Sequence, residues 1–297
     1  MSISTPITIY VPRINDKSSD FNAIADIWQE ALNVDNKNHI IFDFSRCDFL
    51  RPNAVVFLGG LARLIQESGR TVHFSVNTMQ QPIKMNLLQN GFASVMGADT
   101  EPWLGNSIPY REYLEPNKDN IIEYLRDDWL GRGWINISAN LKNEIAGRMW
   151  EIFANAFEHS LSGVGIVCCG QFFKTNKELV LAVADFGVGI PSNVKTFEAQ
   201  VDMEPKDAMQ WAFTRGNSTS KTNGPRGVGL DLLKDFVKVS KGTLAIYSHG
   251  GYAHIDESGE LYDNHTAFFK GTIVQVTLRC DDNYYCLSSE LDSAQYF

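Results

Sequence analysis

The chain has 297 residues, 44% of them hydrophobic and 21% charged, which is enough for one large domain or two ordinary ones. The formal net charge is −9 and the basic residues are dispersed, which disfavours direct nucleic-acid binding because that needs clustered positive charge. No stretch approaches the roughly 18 uninterrupted apolar residues of a membrane span, and the first residues do not have the pattern of a secretory signal.

The cysteines indicate a reducing compartment. They form an odd, scattered set without CxxC spacing, which fits neither a disulfide framework nor a zinc site. They are Cys47, Cys168, Cys169, Cys280 and Cys286. We therefore expect a cytoplasmic protein without membrane association.

The first part of the chain, residues 1–95, alternates strand-like and helix-like patterns. Strands are predicted over 7–11, 39–44 and 71–75, and helices over 21–32, 52–66 and 83–88. This βαβα order predicts a small sheet covered by helices.

Residues 93–118 break the alternation, because glycines and prolines fall there among polar residues. We therefore predict that residues 96–135 form a linker with a connecting helix at about 121–130.

Residues 136–280 predict a second α/β domain, a sandwich of helices on a sheet. The pattern indicates a long helix over 138–160, strands over 164–173 and 178–185, a polar stretch over 192–223, a helix over about 230–239, and strands over 243–247 and 272–278. The predicted fold class is therefore α/β with two domains, followed by an acidic and aromatic tail over 281–297 that the pattern does not assign.

Glu151, Asn155 and His159 are spaced four residues apart on the long predicted helix, so they line one face of it. An asparagine carbonyl oxygen is a hard ligand suited to magnesium. Glu151 can accept a proton from a nucleophile near a γ-phosphate. The alternative is that these residues are simply the exposed polar face of an amphipathic helix.

Asp185 ends an apolar strand and is followed by Gly187 and Gly189. A carboxylate there can accept a hydrogen bond from an adenine amino group, and the glycines let the backbone approach the base. A tight turn between a strand and a loop would use the same residues.

Gly227, Val228 and Gly229 directly precede the helix predicted from Leu230. Free backbone N–H groups at a helix start suit phosphates. The stretch 215–224 before them is rich in small and hydroxyl residues, which suits either a lid over a nucleotide or a plain surface loop. The spacing is not that of a P-loop or of a dinucleotide-binding fold.

Residues 136–280 resemble the GHKL ATP-binding domain shared by gyrase, the heat-shock chaperone, histidine kinases and MutL, since the three segments occur in the family's order. The resemblance implies a Bergerat fold that binds ATP and magnesium beneath a mobile lid. It implies that Glu151 is the catalytic base and that Asn155 holds the magnesium ion.

The same resemblance implies the nucleotide-contacting residues. The cofactor-binding set is Asn155, His159, Asp185, Gly187, Gly189, Ile190, Gly227, Val228, Gly229, Leu230 and Thr272. Within it, Asp185 and Thr272 are assigned to adenine, and Gly227 and Gly229 to the phosphates. The run from Asn155 to His159 looks more like the anti-sigma-factor serine kinases and histidine kinases than like gyrase or MutL.

Residues 38–92 resemble a STAS domain, the fold of anti-sigma-factor antagonists, over the runs 40–45, 49–54 and 87–91. The antagonists carry a phosphorylatable serine where this chain has Arg51, Pro52, Asn53 and Ala54, none of which has a hydroxyl. We therefore expect a fixed docking or dimerisation surface there, not a phospho-acceptor.

Together the resemblances imply a Mg-ATP-binding regulator that acts by partner switching. It would hydrolyse ATP slowly or transfer phosphate to Ser or Thr of a protein partner, STAS-like or another regulator. Two alternatives stay open, a stand-alone ATPase machine in a stress or defence assembly and a non-catalytic nucleotide-sensing module. A homodimer is compatible with the sequence.

Overall fold

The computed structural model describes residues 6–33, 39–214, 216–217 and 229–293. They form one three-stranded and one seven-stranded sheet with helices packed on both, so the predicted α/β class is confirmed. Within these ranges, no helix is both long enough and apolar enough to cross a membrane.

The strands and helices follow in chain order. The strands are β1 (Ile7–Tyr10), β2 (Ile40–Asp43), β3 (Val72–Ser75), β4 (Ser107–Tyr113), β5 (Ile166–Phe173), β6 (Glu178–Asp185), β7 (Thr243–Ser248), β8 (Gly251–Asp256), β9 (Gly259–Asn264) and β10 (Thr272–Arg279). The helices are α1 (Phe21–Leu32), α2 (Pro52–Glu67), α3 (Gln81–Gln89), α4 (Phe92–Val95), α5 (Lys118–Glu123), α6 (Ala139–His159), α7 (Ile190–Glu198), α8 (Pro205–Phe213), α9 (Gly229–Val239) and α10 (Ser288–Ser293).

The N-terminal part, which we take as the described residues between 6 and 95, is built on the parallel sheet β1-β2-β3. The helices α1 and α2 connect its strands, which confirms the small helix-covered sheet expected from the pattern. The helix α2 starts with Pro52, whose fixed φ suits the first helical position. Residues 52–62 of this helix are buried without interruption, because α2 lies between the two sheets.

The larger sheet is antiparallel and has the order β4-β5-β6-β10-β7-β8-β9. Alternate residues of its central strands point to opposite sides. We call the side that packs on α6 and α9 the α6 face; Leu181 and Val183 lie on it. We call the other side the α2 face; Ala182 and Ala184 lie on it. Because both faces of the sheet are covered, the sequences of β5 and β6 are apolar at nearly every position.

The stretch 93–118, where the sequence predicted a break, contains the strand β4, which pairs with β5 at the edge of the large sheet. Pro109 lies within β4, at an irregularity in the pairing between Ile108 and Arg111. An edge strand tolerates proline there because one side of it has no ladder partner. After β4, α5 continues directly as a π-helix over Tyr124–Trp129, in the place where a connecting helix was predicted.

One cluster of buried side chains joins the N-terminal part to the α2 face of the large sheet. Phe21 stacks on Tyr247, with ring centroids 4.4 Å apart. Phe57 of α2 packs against Phe269 at 5.7 Å and Phe186 at 6.2 Å. The two parts of the chain therefore share a hydrophobic core.

Arg51, in the segment where the STAS resemblance lacks its serine, is buried at this junction. Its Nη2 atom lies 2.8 Å from Glu178 Oε2 of β6, and its Nε atom lies 3.4 Å from Asp16 Oδ2. Its guanidinium carbon also lies 4.2 Å from the Phe173 ring centroid. The segment from Arg51 to Ala54 thus contacts the chain's own seven-stranded sheet.

The tail forms α10 and packs at the start of α6. Glu290 accepts hydrogen bonds from Ser138 Oγ at 2.6 Å and from Asn140 Nδ2 at 3.0 Å. A carboxylate at a helix start is favourable because the backbone N–H groups there are unpaired and carry partial positive charge.

Candidate nucleotide-binding site

Three polar side chains of α6 lie where the sequence predicted them, along one side of the helix. Asn155 is exposed, while Glu151 and His159 are half-buried. Arg148 Nη1 lies 3.1 Å from Glu151 Oε1, so the predicted catalytic base forms an ion pair one turn away. His159 lies at the end of the helix, and its backbone carbonyl accepts a hydrogen bond from Asn193 Nδ2 at 3.0 Å.

Asp185 is buried at the end of β6, on the α6 face. Its Oδ1 atom accepts a hydrogen bond from the Gly187 backbone N–H at 2.9 Å. Burial raises the pKa of its carboxyl from 3.8 to about 7, and the hydrogen bonds from Gly187 and Thr272 oppose that rise. A buried carboxylate with few donors is suited to accept another donor from a ligand.

Thr272 lies directly opposite Asp185 in the pairing of β10 with β6, which brings the two predicted adenine contacts together. The same residue pairs with Ser248 across β7. Because these partners share one face of the sheet, Asp185, Thr272 and Ser248 form a row of polar side chains at the strand ends, facing α6.

Ser248 was not identified from the sequence. Its hydroxyl donates to the Gly271 carbonyl at 2.9 Å, accepts from the Ile190 N–H at 2.8 Å, and lies 3.0 Å from the Thr272 hydroxyl. It therefore ties the start of α7 to the strand that carries Thr272. The sequence does contain a signal for it, because Ser248 is the polar residue that ends the alternating apolar run 243–247.

The turn after Asp185 requires its glycines. A Cβ atom at Gly187 would overlap the backbone carbonyl of Ser160, and Val188 N–H donates to that carbonyl at 2.7 Å. Gly189 has a φ of +75°, and a Cβ atom there would overlap His249. The first and second predicted segments are thus brought together by direct backbone contact.

The third segment is only partly described. Gly229 and Leu230 begin α9, as the sequence predicted. Gly227 and Val228, together with most of the predicted lid, lie outside the described residues.

The residues present fit a magnesium ion that is bound mainly by the phosphates of a nucleotide. Within the described ranges, no group of three or more His, Cys, Asp or Glu side chains could hold a metal ion. Magnesium in phosphate-transferring sites usually takes one or two protein oxygens, with phosphates and water completing its shell. Asn155, on the accessible side of α6, would supply one such oxygen.

The fold is an α/β domain with a row of polar side chains at the strand ends beside α6. Residues 142–286, which begin within α6 and include the three segments, match the model of the histidine kinase-, DNA gyrase B- and HSP90-like ATPases. This segment of the chain is therefore a GHKL-type ATPase domain, of the family HATPase_c. No curated protein matches the chain.

Proposed function

We propose that the protein is a Mg-ATP-dependent regulator that hydrolyses ATP slowly or transfers its γ-phosphate to Ser or Thr of a protein partner. The observation that carries the proposal is the buried Asp185 carboxyl, aligned with Thr272 at the strand ends beside α6. Adenine would bind at this row, and Asn155 would hold magnesium next to the phosphates. The ion supplies charge neutralisation at the transferred phosphoryl group.

The acceptor in this proposal is another protein. The segment from Arg51 to Ala54 has no hydroxyl group, and all four of its residues are buried. A STAS-like partner or another regulator would therefore supply the Ser or Thr. ATP binding would change which protein surface is offered, which is how partner switching operates.

A nucleotide sensor without turnover is the second candidate, and one observation favours it. Glu151 is held by Arg148 at 3.1 Å. The Oε1 atom would have to leave Arg148 before it could accept a proton from a nucleophile, so the paired geometry favours binding without turnover.

The test is incubation of the purified protein with magnesium and γ-labelled ATP, with and without cell lysate, while free phosphate and labelled protein are followed. A labelled partner protein supports phosphoryl transfer. Free phosphate alone supports slow hydrolysis, as in an ATP-driven conformational machine. ATP binding without either product supports the sensor, and absence of ATP binding contradicts the proposal.

Glu151→Gln should abolish turnover while ATP stays bound. Loss of a positioned general base lowers turnover by about 100-fold or more. Affinity should change little, because the base acts on the attacking nucleophile. Glu144→Gln is the matched control, since Glu144 lies on the same helix and contacts the same Arg148, at 3.8 Å. Persistent turnover in Glu151→Gln would show that another group is the base.

A further inference from the structure

Phe186 links the adenine-binding turn to the N-terminal part. It directly follows Asp185, and because successive residues point to opposite faces, its ring enters the core on the α2 face. The ring is buried, with centroids 6.1 Å from Trp28 of α1, 6.2 Å from Phe57 of α2 and 5.4 Å from Phe269.

The backbone of α2 lies directly against this ring. A Cβ atom at Gly60 would overlap the Phe186 ring, so only glycine at position 60 leaves room for the observed packing. The ring is thus held by the helix backbone as well as by flexible side chains. A backbone contact yields less readily than a side chain, because moving it displaces the whole helix.

The residue before Thr272 confines the turn from another side. Gly271 has a φ of +134°, and a Cβ atom there would overlap the Asp185 carbonyl and lie 3.0 Å from the Phe186 Cα atom. The backbone between Asp185 and Gly187 is therefore enclosed by β10 on one side and, through Phe186, by α1 and α2 on the other.

We propose that Phe186 is a positioning residue through which the N-terminal part sets the ATP affinity of the site. The inference rests on the proposed binding of adenine at Asp185. A shift of the Phe186 ring moves the adjoining Asp185 backbone, and displacements of about 1 Å suffice to disrupt a hydrogen-bonded contact.

The coupling is reciprocal. If packing at Phe186 changes ATP affinity, then ATP binding changes the stability of that packing by the same free energy. A protein that binds the N-terminal part and shifts α1 or α2 would thus change ATP affinity without touching the nucleotide.

Two neighbouring glycines of α2 provide a matched pair for the test. Gly60→Ala places a methyl group against Phe186, whereas Gly59→Ala places one against the Tyr110 ring, away from the turn. Both variants add the same group to the same buried helix. ATP and inorganic triphosphate binding are measured by calorimetry, and folding is followed by circular dichroism.

We expect Gly60→Ala to weaken ATP binding about tenfold or more, with triphosphate affinity unchanged within about twofold. Gly59→Ala should leave both affinities within about twofold of wild type. Adding Phe186→Leu to Gly60→Ala makes room for the methyl group and should raise the ATP affinity from that of Gly60→Ala to that of Phe186→Leu alone. If Gly60→Ala only destabilised the fold, it would weaken the binding of ATP and of triphosphate alike, and adding Phe186→Leu would not raise the ATP affinity.

Phe186→Leu alone keeps the inference testable if Gly60→Ala does not fold. It removes the ring from the contact and should weaken ATP selectively, whereas Phe92→Leu, an equally buried ring packed on Phe74 and Tyr110, should not. Equal ATP affinity in Phe186→Leu and Phe92→Leu would overturn the inference while leaving the proposed function standing. Failure of the wild-type protein to bind ATP would overturn both.

Discussion

In the proposed site, ligand binding and folding would make opposite demands on the Asp185 carboxyl group. Burial raises its folded-state pKa from 3.8 to about 7. Between these values the folded state binds a proton that the unfolded state has lost, so the free energy of unfolding falls as pH rises from about 4 to about 7. Above pH 7 the protein carries the full cost of a buried charge.

Asp185→Asn should therefore stabilise the nucleotide-free protein at pH 8 and weaken adenine nucleotides selectively. The neutral amide removes the cost of ionisation, and the gain should be about 1 kcal/mol or more. Loss of the charged acceptor should reduce ATP affinity by about tenfold or more. Urea denaturation at pH 5 and pH 8, and calorimetric titration with ATP and GTP, measure the two effects.

The control for this variant is Asp43→Asn. Hydrogen bonds from Ser45 lower the pKa of Asp43, so its removal should give no gain at pH 8. Equal pH dependence of stability in wild type and Asp185→Asn would show that the folded-state pKa is not raised. Equal loss of all nucleotides, or no loss, would contradict the adenine assignment.

At the scale of elements, α6 depends on the cap at its start. Ser138 Oγ accepts a hydrogen bond from Leu141 N–H at 3.1 Å and donates to Glu290 of α10. Ser138→Ala should lower the free energy of unfolding by about 1 kcal/mol, the usual cost of losing a helix cap. It should also increase hydrogen exchange in α10, measured by mass spectrometry.

Thr196→Ala is the comparison for this variant, since its hydroxyl also bonds locally, to the Ser192 carbonyl at 2.8 Å, but caps no helix. If both variants lose the same stability and leave exchange in α10 unchanged, the cap does not hold the tail.

The sequence predicted two kinds of element. They are the amphipathic helices, whose apolar residues recur on one face, and the fully buried strands, which are apolar at nearly every position. The helices α1, α2 and α6 and the strands β5, β6 and β10 follow this rule. The elements that were missed contain proline or polar residues, and only the tertiary structure explains why these residues are tolerated there. Pro109 is tolerated because β4 lies at an edge, and α7 and α8 were concealed in the polar stretch 192–223.

The structure brings together several of the residues that the sequence predicted for the site, and their contact with a nucleotide stays a prediction. Asp185, Gly187, Gly189 and Thr272 meet as expected, because strand register brings their segments together. The bridging hydroxyl of Ser248 and the packing of Phe186 depend on partners distant in the chain, and local periodicity does not record them.

At the scale of the molecule, the shared core predicts that both parts unfold together. Phe57 is fully buried between them, so Phe57→Ala should lower the free energy of unfolding by about 3–5 kcal/mol. Hydrogen exchange should rise in β1–β3 and in β5–β6 alike. Leu104→Ala, at a side chain 83% exposed, should change stability by no more than about 0.5 kcal/mol. Increased exchange confined to β1–β3 would show that the two parts unfold separately.

The shared core also has a consequence for synthesis on the ribosome. Trp28 and Phe57 are made early, but their partners Phe186, Phe269 and Ile273 are made much later. At roughly 5–20 residues per second, the interval between them is on the order of ten seconds or more. During that time Trp28 and Phe57 lack these partners, so we expect the growing chain to be prone to association with other nascent chains. Chaperone depletion should therefore reduce the yield of this protein before it affects its thermal stability.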